Sequence, residues 1–313
     1  MGLIKKLRGE QESSAQTTKY EKAIADCNVG TDDSQIKAEV ENLIAAHFQE
    51  NDNKSVYQFL LGCVDLTTLS TTDSEHSVAE FTKKVNDYWV KYPDYQNVAS
   101  VCVYSNFAEV VRANLEVSDV NIVVCSGNFP SSQAHLETKI AETALAVADG
   151  ADEVDVVINM GYFIDGAYEE LCDEISELKH ATGGRKLKVI LETGLLQTAE
   201  KIKAASVLAM YSGADFIKTS TGKIYPGASL EAAYVMCKCI KDYYDKFGTR
   251  IGFKAAGGIR TTEEAVKYYT IVKEVLGKEW LDSEYFRIGA SSLANNLFQS
   301  FADSEATPFL SCR

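Results

Sequence analysis

The sequence predicts an α/β protein: a (β/α)8 TIM barrel with an N-terminal helical extension. From about residue 56 onward, short β-branched runs alternate with amphipathic stretches, as in parallel strands joined by helices. Eight such runs are present, which is the number that closes this barrel. The predicted helix ends at Gly150 and Gly213 are both followed by Ala-Asp, which indicates equivalent turns. An open doubly wound sheet is the competing fold, but no Gly-x-Gly-x-x-Gly follows the first run.

The predicted strands are short apolar runs bounded by turn residues. They span residues 57–65, 99–104, 121–126, 153–159, 187–193, 215–219, 251–256 and 285–290. The stretches between them have helical spacing, as at 137–149, where Ile140, Ala144, Leu145 and Ala148 recur every three or four residues. A chain of 313 residues has room for one barrel of about 250 residues and an extension.

Residues 1–55 differ from the rest, since they are polar and contain no strand run. Ile36, Val40, Leu43, Ile44 and Phe48 recur at helical spacing, which predicts a helix packed on the outside of the barrel. We therefore expect an extension at 1–55, of which the first 16 or so residues are mobile. The barrel is expected to span 56–303, and a C-terminal tail to span 304–313.

The composition excludes several classes of partner. A formal net charge of −14 and a pI near 4.8 argue against a nucleic-acid partner, which would favour a basic face. No run approaches about 18 uninterrupted apolar residues, and the first residues lack the apolar core of a signal peptide, so we expect no membrane span. The 8 cysteines are scattered, which is typical of free thiols in a reducing compartment. We therefore expect a cytoplasmic protein.

Lys218 and Lys254 are the most informative residues of the chain. Each lies in a short apolar run predicted to be a strand, close to a Gly-rich turn. Burial disfavours an ammonium group, and two such cations on successive strands repel each other, so we expect the neutral amine to be favoured. A neutral amine attacks carbonyl groups and forms a Schiff base. A pair of structural buried ion pairs is the alternative interpretation.

Other polar residues lie where such barrels carry their chemistry, at the C-terminal ends of the strands. Asp65 is predicted to end the first strand, and Cys102 to lie in the second. Asp155 alternates with Val157 and Asn159 in the fourth, so we expect it to point into the barrel. Asp155 could instead be a plain ion-pair partner, Asp65 a turn or helix cap, and Cys102 a small buried hydrophobe.

The loops after the fifth and sixth strands offer further substrate contacts. Thr221 and Lys223 place a hydroxyl and a cation just after the Lys218 strand. Glu192 and Thr193 are predicted either to line the site or to be solvated loop residues.

Glycines and hydroxyl residues at neighbouring strand ends predict a phosphate site. Glycine lets backbone N–H groups approach an anion, and the start of a helix adds a favourable dipole. Many barrels hold a substrate phosphate in the loops after strands 7 and 8. The candidate residues are Gly222, Gly257, Gly258, Arg260, Gly289, Ser291 and Ser292. Each glycine pair taken alone is equally well explained by a tight turn.

Five segments together resemble the deoxyribose-phosphate aldolase family. They are DLTTL (65–69), GADEVDVV (150–157), DFIKTSTGK (215–223), GFKAAGGIR (252–260) and RIGASS (287–292). The resemblance runs in order from about residue 58 to 298, and the two lysine segments are its most specific part. It implies reversible aldol cleavage of 2-deoxy-D-ribose 5-phosphate into acetaldehyde and D-glyceraldehyde 3-phosphate. It also implies a class I mechanism, without a metal or another cofactor.

The resemblance implies roles for individual residues. By motif, Lys218 forms the Schiff base, and Lys254 favours the neutral form of that amine and takes part in proton transfer. Asp155 is the acid/base partner, working with ordered water, and Asp65 contacts a substrate hydroxyl. The implied phosphate contacts are Gly257, Gly258, Arg260, Ser291 and Ser292.

Two features depart from the family pattern. Bacterial members end in a tail whose terminal tyrosine assists proton exchange, and this chain has no tyrosine after Tyr285. Many members have Pro or Ser just before the paired glycines, where this chain has Ala255 and Ala256. We expect the second change to be tolerated.

Other functions remain open at this point. The chain could be a Schiff-base aldolase for a different phosphorylated sugar, because no motif fixes recognition of the missing 2-hydroxyl. It could also be a sugar-phosphate sensor that carries out no chemistry. A metal-dependent aldolase is disfavoured, because none of the 4 histidines lies at a strand end with ligand spacing. The expected partner is a small phosphorylated sugar, and a homodimer is the assembly that we consider.

Overall fold

The computed structural model describes residues 17–309, and it contains a closed barrel of eight parallel strands in the order β1 to β8. The strands are β1 (Val64–Thr67), β2 (Ser100–Tyr104), β3 (Asn121–Cys125), β4 (Glu153–Val157), β5 (Lys186–Ile190), β6 (Phe216–Lys218), β7 (Gly252–Ala256) and β8 (Phe286–Ala290). Pairing of Asp65 on β1 with Gly289 on β8 closes the barrel. The predicted (β/α)8 fold is confirmed.

Helices follow every strand and also precede the barrel. They are α1 (Lys19–Asp26), α2 (Asp33–Asn51), α3 (Lys54–Leu61), α4 (Glu75–Lys91), α5 (Ala108–Asn114), α6 (Leu136–Ala148), α7 (Met160–Asp165), α8 (Tyr168–Ala181), α9 (Thr193–Leu196), α10 (Ala199–Tyr211), α11 (Leu230–Phe247), α12 (Thr262–Leu276) and α13 (Leu293–Phe301). The loops after β4 and β5 each contain an additional short helix, α7 and α9. None of the helices in the described part of the chain is long and apolar enough to cross a membrane.

The first predicted strand is wrong over most of its length. Residues 57–61 belong to α3, and the strand begins only at Val64. The side chain of Asn53 caps this helix by accepting a hydrogen bond from the N–H of Val56 at 3.2 Å. A short apolar run does not distinguish a buried helix from a buried strand, and the capping asparagine was the signal that decides between them.

Two predicted strands end earlier than expected. β4 stops at Val157, and Asn159 caps α7 by accepting from the N–H groups of Gly161 and Tyr162. β5 stops at Ile190, and Thr193 begins α9. Asn159 competes with strand pairing by bonding to nearby backbone groups, whereas the hydroxyl of Thr193 contacts that of Ser220 at 3.5 Å.

The helix predicted from Ile36, Val40 and their apolar neighbours is α2, which packs against α11 and α12 on the outside of the barrel. Ile36 and Val40 are buried there. The mobile segment expected at residues 1–16 and the last residues of the predicted tail, 310–313, lie outside the described residues. The boundaries of the extension, the barrel and the tail stay predictions.

Alternation along the strands separates an apolar layer from a polar axis. On β4, Val154 and Val156 are buried in the hydrophobic core beneath the helices, whereas Glu153 and Asp155 point to the barrel axis. The same alternation puts Ile217 in the core and Lys218 on the axis of β6. The hydrophobic core therefore surrounds the barrel, and its centre is left for charged groups.

Candidate active site

Seven charged side chains from six strands meet on the barrel axis. They are Asp65, Glu153, Asp155, Lys188, Lys218, Lys254 and Arg287, which we call the barrel cluster. Each of these residues is at most 4% exposed. The parallel register places Lys218 directly beside Lys254. Charged groups are this deeply buried only where they are paired, so the pairing pattern is the central feature of the site.

Asp155 is the hub of the cluster. Its Oδ2 atom lies 2.7 Å from the Nζ of Lys218 and 2.8 Å from the Nζ of Lys254, while its Oδ1 lies 3.2 Å from the Nζ of Lys188. Its predicted position inside the barrel is confirmed. The sequence suggested one ion pair for Asp155 as the alternative interpretation, whereas the structure shows contacts with three ammonium groups.

Asp65 is the second shared carboxylate. Its Oδ1 accepts from the hydroxyl of Ser100 at 2.7 Å and from Nη1 of Arg287 at 2.6 Å, and its Oδ2 contacts Nζ of Lys254. The expectation that Asp65 ends its strand is wrong, because β1 continues to Thr67. A turn or helix-cap role is therefore excluded, and Asp65 is fixed within the barrel wall.

Three members of the cluster were not singled out from the sequence. Lys188 lies 3.2 Å from Asp155 and contacts Glu153. Arg287 bridges Asp65 at 2.6 Å and Glu153 at 2.9 Å. The sequence predicts reactive groups at the C-terminal ends of the strands, whereas Glu153 and Arg287 lie at or near the strand starts. Period-two alternation from Asp155 would have identified Glu153.

The neighbouring cations keep the carboxylates of Asp155 and Asp65 ionised. Burial raises the pKa of Asp155, but Lys188, Lys218 and Lys254 outweigh it, so the pKa is held below its usual range. Burial likewise raises the pKa of Asp65, and Lys254, Arg287 and Lys188 bring it well below its ordinary value.

The expectation that burial and the neighbouring lysine lower the pKa of Lys254 is wrong. Burial lowers the pKa of Lys254, but the carboxylates of Asp155 and Asp65 outweigh this and hold it well above its ordinary value. Burial lowers the pKa of Lys188 as well, and Asp155, Glu153 and Asp65 reverse that shift. For Lys188 and Lys254, repulsion from neighbouring cations is therefore weaker than attraction to the shared carboxylates, and Lys254 is held as a cation in the resting cluster.

Lys218 differs from the other two amines in its contacts and its access. Its only ion pair within the described residues is with Asp155, whereas Lys188 and Lys254 each contact more than one carboxylate. Its side chain is 5% exposed, while those of Lys188 and Lys254 are fully buried. It is also the last residue of β6, at the end of the barrel where substrates enter this fold.

Cys102 faces the axis of the barrel beside Cys125 of β3, with Leu69 and Phe129 packed against the pair. The contact with Cys125 lowers the pKa of the Cys102 thiol, while burial opposes that shift. Sulfur and oxygen ligand atoms of Cys102, Cys125 and Asp155 lie within 4.8 Å of one another. Asp155 already contacts three ammonium groups, which makes this an unfavourable position for a metal cation.

The loop after β6 is held by a carboxylate from the loop after β5. Oε2 of Glu192 accepts the hydroxyl of Thr221 at 2.6 Å, and Oε1 accepts the N–H of Thr221 at 3.2 Å. Glu192 is therefore a buried partner of Thr221 and not a solvated loop residue. Lys223 is exposed, with its Nζ against the carbonyl of Leu69 and 5.5 Å from the ring centre of Tyr104.

Three glycines let the loops after β6 and β7 touch. Gly222 and Gly257 have positive φ, at +74° and +90°. A Cβ atom on Gly257 would come 2.9 Å from the Cα of Gly227 and 3.4 Å from that of Gly222. The requirement for glycine here is therefore partly structural, and Gly227 was missed because it lies outside the motif.

Gly289 is placed differently from the prediction. It lies within β8 and not in the following loop, paired with Asp65 and Ala256. A Cβ atom there would come 3.2 Å from Cε of Lys254. Glycine at this position therefore leaves room for the lysine side chain.

The remaining phosphate candidates lie together at the ends of β7 and β8. Gly258 has φ +86° and open space beside its Cα. Arg260 and Ser291 are exposed and Ser292 is partly exposed, and their side chains make no hydrogen bond to any described residue. Ser292 precedes α13 without capping it. Their donor groups are thus available to a ligand.

A cavity of about 340 Å³ opens at this end of the barrel. It is lined by Glu192 and Thr221 together with apolar side chains such as Val157, Leu195 and Tyr225. A larger cavity of about 710 Å³ lies outside the barrel between α1, α7 and α10, and none of the charged cluster lines it. The barrel cluster does not line the smaller cavity either, but Thr221, which does, lies three residues after Lys218 in the chain.

Comparison with known proteins agrees with this geometry. Residues 59–296 match the DeoC/LacD family of aldolases. The human deoxyribose-phosphate aldolase is 42% identical over 250 residues, 75% of this chain and 77% of that protein. A relative from Caenorhabditis elegans is 40% identical over 284 residues, 89% of this chain and 92% of that protein.

A solved structure gives the same picture of the fold. The deoxyribose phosphate aldolase of Aeropyrum pernix, described as a unique tetrameric structure, superposes with a TM-score of 0.63 at 25% identity. The match covers 81% of this chain and 96% of that one. Since both the family match and the human relative span about three quarters of the chain, the protein belongs to the DeoC/LacD family of aldolases and is an enzyme of the lyase class.

Proposed function

We propose that this aldolase reversibly cleaves 2-deoxy-D-ribose 5-phosphate into acetaldehyde and D-glyceraldehyde 3-phosphate through a Schiff base on Lys218. The observation that carries this proposal is the charge balance of the barrel cluster. Four cations, Lys188, Lys218, Lys254 and Arg287, share three carboxylates. Loss of one proton from one amine balances the cluster.

Lys218 is the amine for which that loss costs least. It gives up one ion pair, whereas Lys254 would give up contacts with both Asp65 and Asp155. A buried cluster with excess positive charge is relieved by forming a neutral amine. Its position at the end of β6 lets that amine meet a carbonyl carbon.

Asp155 is suited to move protons between the amines. Its oxygens contact the Nζ atoms of Lys188, Lys218 and Lys254. Because its pKa is held below the usual range, it passes a proton on and does not retain it. Lys254, which is protonated in the resting cluster, is the neighbouring proton source.

The chemistry then follows from the neutral amine. The Nζ of Lys218 attacks C1 of the open-chain sugar, and loss of water gives a protonated Schiff base. The C3 hydroxyl gives its proton to the carboxylate of Asp155, the electrons of the C2–C3 bond move toward the nitrogen, and C3 leaves as the aldehyde carbon of D-glyceraldehyde 3-phosphate. Protonation of the enamine at C2 and hydrolysis release acetaldehyde and restore the lysine.

The phosphate is assigned to the loops after β7 and β8. Arg260, Ser291 and Ser292 offer donors that no described residue uses, and Gly258 leaves its backbone open to an anion. Lys223 adds a second exposed cation at the same end of the barrel. These contacts explain how a protein with a net charge of −14 binds an anionic substrate.

The test is chemical trapping of the Schiff base. Borohydride reduction in the presence of acetaldehyde, followed by peptide mass spectrometry, is expected to give a two-carbon adduct on Lys218. The fully buried Lys139 and a sample without acetaldehyde serve as controls. A folded protein that gives no adduct on Lys218 would overturn the proposal and favour a sugar-phosphate sensor.

Substrate identity needs a separate measurement. Cleavage of 2-deoxy-D-ribose 5-phosphate is expected to exceed that of D-ribose 5-phosphate by at least about tenfold, since a single misplaced hydroxyl costs about 1–3 kcal/mol. Equal rates would assign the same Schiff-base chemistry to a different phosphorylated sugar.

Cellular location, partners and oligomeric state are the remaining parts of the proposal. A cytoplasmic location agrees with the seven described cysteines, all of which are free and buried. We infer that the protein has no nucleic-acid partner because of its acidic charge. The homodimer is tested by light scattering, in which the mass of a tetramer would instead match the assembly of the Aeropyrum pernix structure.

A further inference from the structure

Glu192 has a backbone conformation that is uncommon for its residue type. Its φ and ψ of 55° and 58° lie in the left-handed region, which is sterically unfavourable for a residue with a side chain. The side chain is 4% exposed although it carries a carboxylate. Such a conformation persists only where the surrounding structure holds it.

The contacts that fix the backbone of Glu192 come from the end of β6, the strand that carries the proposed nucleophile Lys218. The N–H of Leu191 donates to the carbonyl of Lys218 at 2.9 Å, and the N–H of Thr193 donates to the carbonyl of Thr219 at 2.9 Å. Glu192 is thus fixed on both sides to the end of β6. Its carboxylate is fixed with it.

That carboxylate receives both donors of Thr221. An ionised carboxylate can only accept, so the hydroxyl proton of Thr221 points at Oε2 of Glu192, 2.6 Å away. The N–H of Lys223 donates to the same hydroxyl oxygen at 3.2 Å. The oxygen therefore has one lone pair left and no proton to offer.

From this geometry we infer that Glu192 is a positioning residue that determines specificity, because it makes Thr221 a hydrogen-bond acceptor only. Thr221 then binds a substrate hydroxyl, which can donate, and rejects a group that can only accept. Both residues line the 340 Å³ cavity at the barrel mouth. The inference rests on the proposed function and adds that the C4 hydroxyl of the sugar, the C2 hydroxyl of D-glyceraldehyde 3-phosphate, is the group bound.

The experiment measures synthesis from acetaldehyde and two acceptors, D-glyceraldehyde 3-phosphate and its analogue with fluorine in place of the C2 hydroxyl. Fluorine accepts weakly and cannot donate. The wild-type enzyme is expected to prefer the hydroxyl acceptor by at least about tenfold in kcat/KM. In Glu192→Gln the side-chain amide donates to Thr221 and frees its hydroxyl proton, so this preference is expected to fall about tenfold.

Two controls separate specificity from loss of structure. Thr221→Val is expected to abolish the preference, Thr221→Ser to keep it, and Glu192→Gln to add nothing in the Thr221→Val background. Acetaldehyde carries no hydroxyl, so borohydride trapping on Lys218 should be unchanged in Glu192→Gln. If Glu192→Gln does not fold, the Val and Ser variants of Thr221 still decide whether its oxygen reads the hydroxyl.

Each contrary result has a separate meaning. A wild-type enzyme without the preference, or a Glu192→Gln variant that retains all of it, would overturn the inference while leaving the aldolase intact. Trapping that is lost in Glu192→Gln alone would show that Glu192 acts by supporting Lys218. Absence of trapping in the wild type would instead remove the proposed function itself.

Discussion

Within the described residues, buried cations are paired with buried carboxylates in two places and in two different ways. Outside the barrel, Lys139 of α6 contacts Glu174 of α8 at 2.7 Å and the hydroxyl of Ser132 at 3.0 Å. This outer pair has one cation and one carboxylate, and Lys139 is fully buried. The barrel cluster has one cation more than it has carboxylates, and Lys218 sits at its open end.

The difference shows what distinguishes a buried structural charge from a reactive one. Burial is common to both regions, so burial by itself does not identify the chemistry. The outer pair is closed and balanced, which suits a fixed link between two helices and a loop. The barrel cluster is unbalanced and shared, which lets a proton move.

Lys218→Arg is the substitution with the largest expected effect. Guanidinium stays charged in a protein and cannot form a Schiff base, so kcat/KM for cleavage should fall by about 10⁴-fold or more. The matched control is Lys139→Arg in the outer pair, where folded protein should retain its turnover. Steady-state assays with circular dichroism check both, and an active Lys218→Arg enzyme would place the nucleophile elsewhere.

Lys139→Met is expected to lower stability while leaving turnover nearly unchanged. Removing one partner leaves Glu174 buried without its cation, so the free energy of unfolding should fall by about 3–5 kcal/mol. Turnover by the folded fraction should stay within about threefold of wild type. Urea denaturation and assays at low temperature measure the two quantities, and a loss of kcat without a loss of stability would give the outer pair a role in catalysis.

Lys254→Leu sharpens the argument from charge balance. It removes the extra cation, so the remaining charges balance with Lys218 still protonated. We expect kcat/KM to fall about 100-fold at pH 7, and the acidic limb of its pH profile to move to higher pH. Lys254→Arg keeps the charge and should keep the position of that limb, and an unmoved limb in Lys254→Leu would refute this role.

Acid unfolding tests the carboxylates of the barrel cluster and has the smallest effect near neutrality. The pKa values of Asp65 and Asp155 are lowered in the folded protein, so their stabilisation is complete above about pH 4, the unfolded value. It is lost as the pH falls through the lower folded values. Urea denaturation from pH 7 to 2 should show a plateau and then a decline that is shallower in Asp155→Asn. An equal slope in both proteins would remove Asp155 from this linkage.

Much of the site could be predicted from the sequence because short motifs contain both the strand and its reactive residue. Lys218, Lys254 and Asp155 were found in this way, and the structure brings all three together. The first strand was misplaced because an apolar run of residues 57–61 is compatible with either a helix or a strand. Gly289 was assigned to a loop although it lies within β8.

Residues with no local signal were the ones missed. In the sequence, Lys188 is a charged residue within a predicted strand, and Arg287 is the first residue of the RIGASS segment. Neither has a local feature that marks it as part of the site, because their partners meet them only in the closed barrel. Glu192 was left between a site residue and a solvated one, because its partner Thr221 lies 29 positions later in the chain. Contacts across that separation depend on how β5 and β6 pair.

The sequence by itself determined the barrel, its strand order and the identity of the lysines, because alternation, turn glycines and motif spacing are local properties of the chain. Only the tertiary structure decided the charge state of Lys254. Lys254 is held as a cation because Asp65, 189 positions away, and Asp155 both contact it in the closed barrel. Electrostatic energy in a buried site depends on distances in space, and those distances exist only once all eight strands have met.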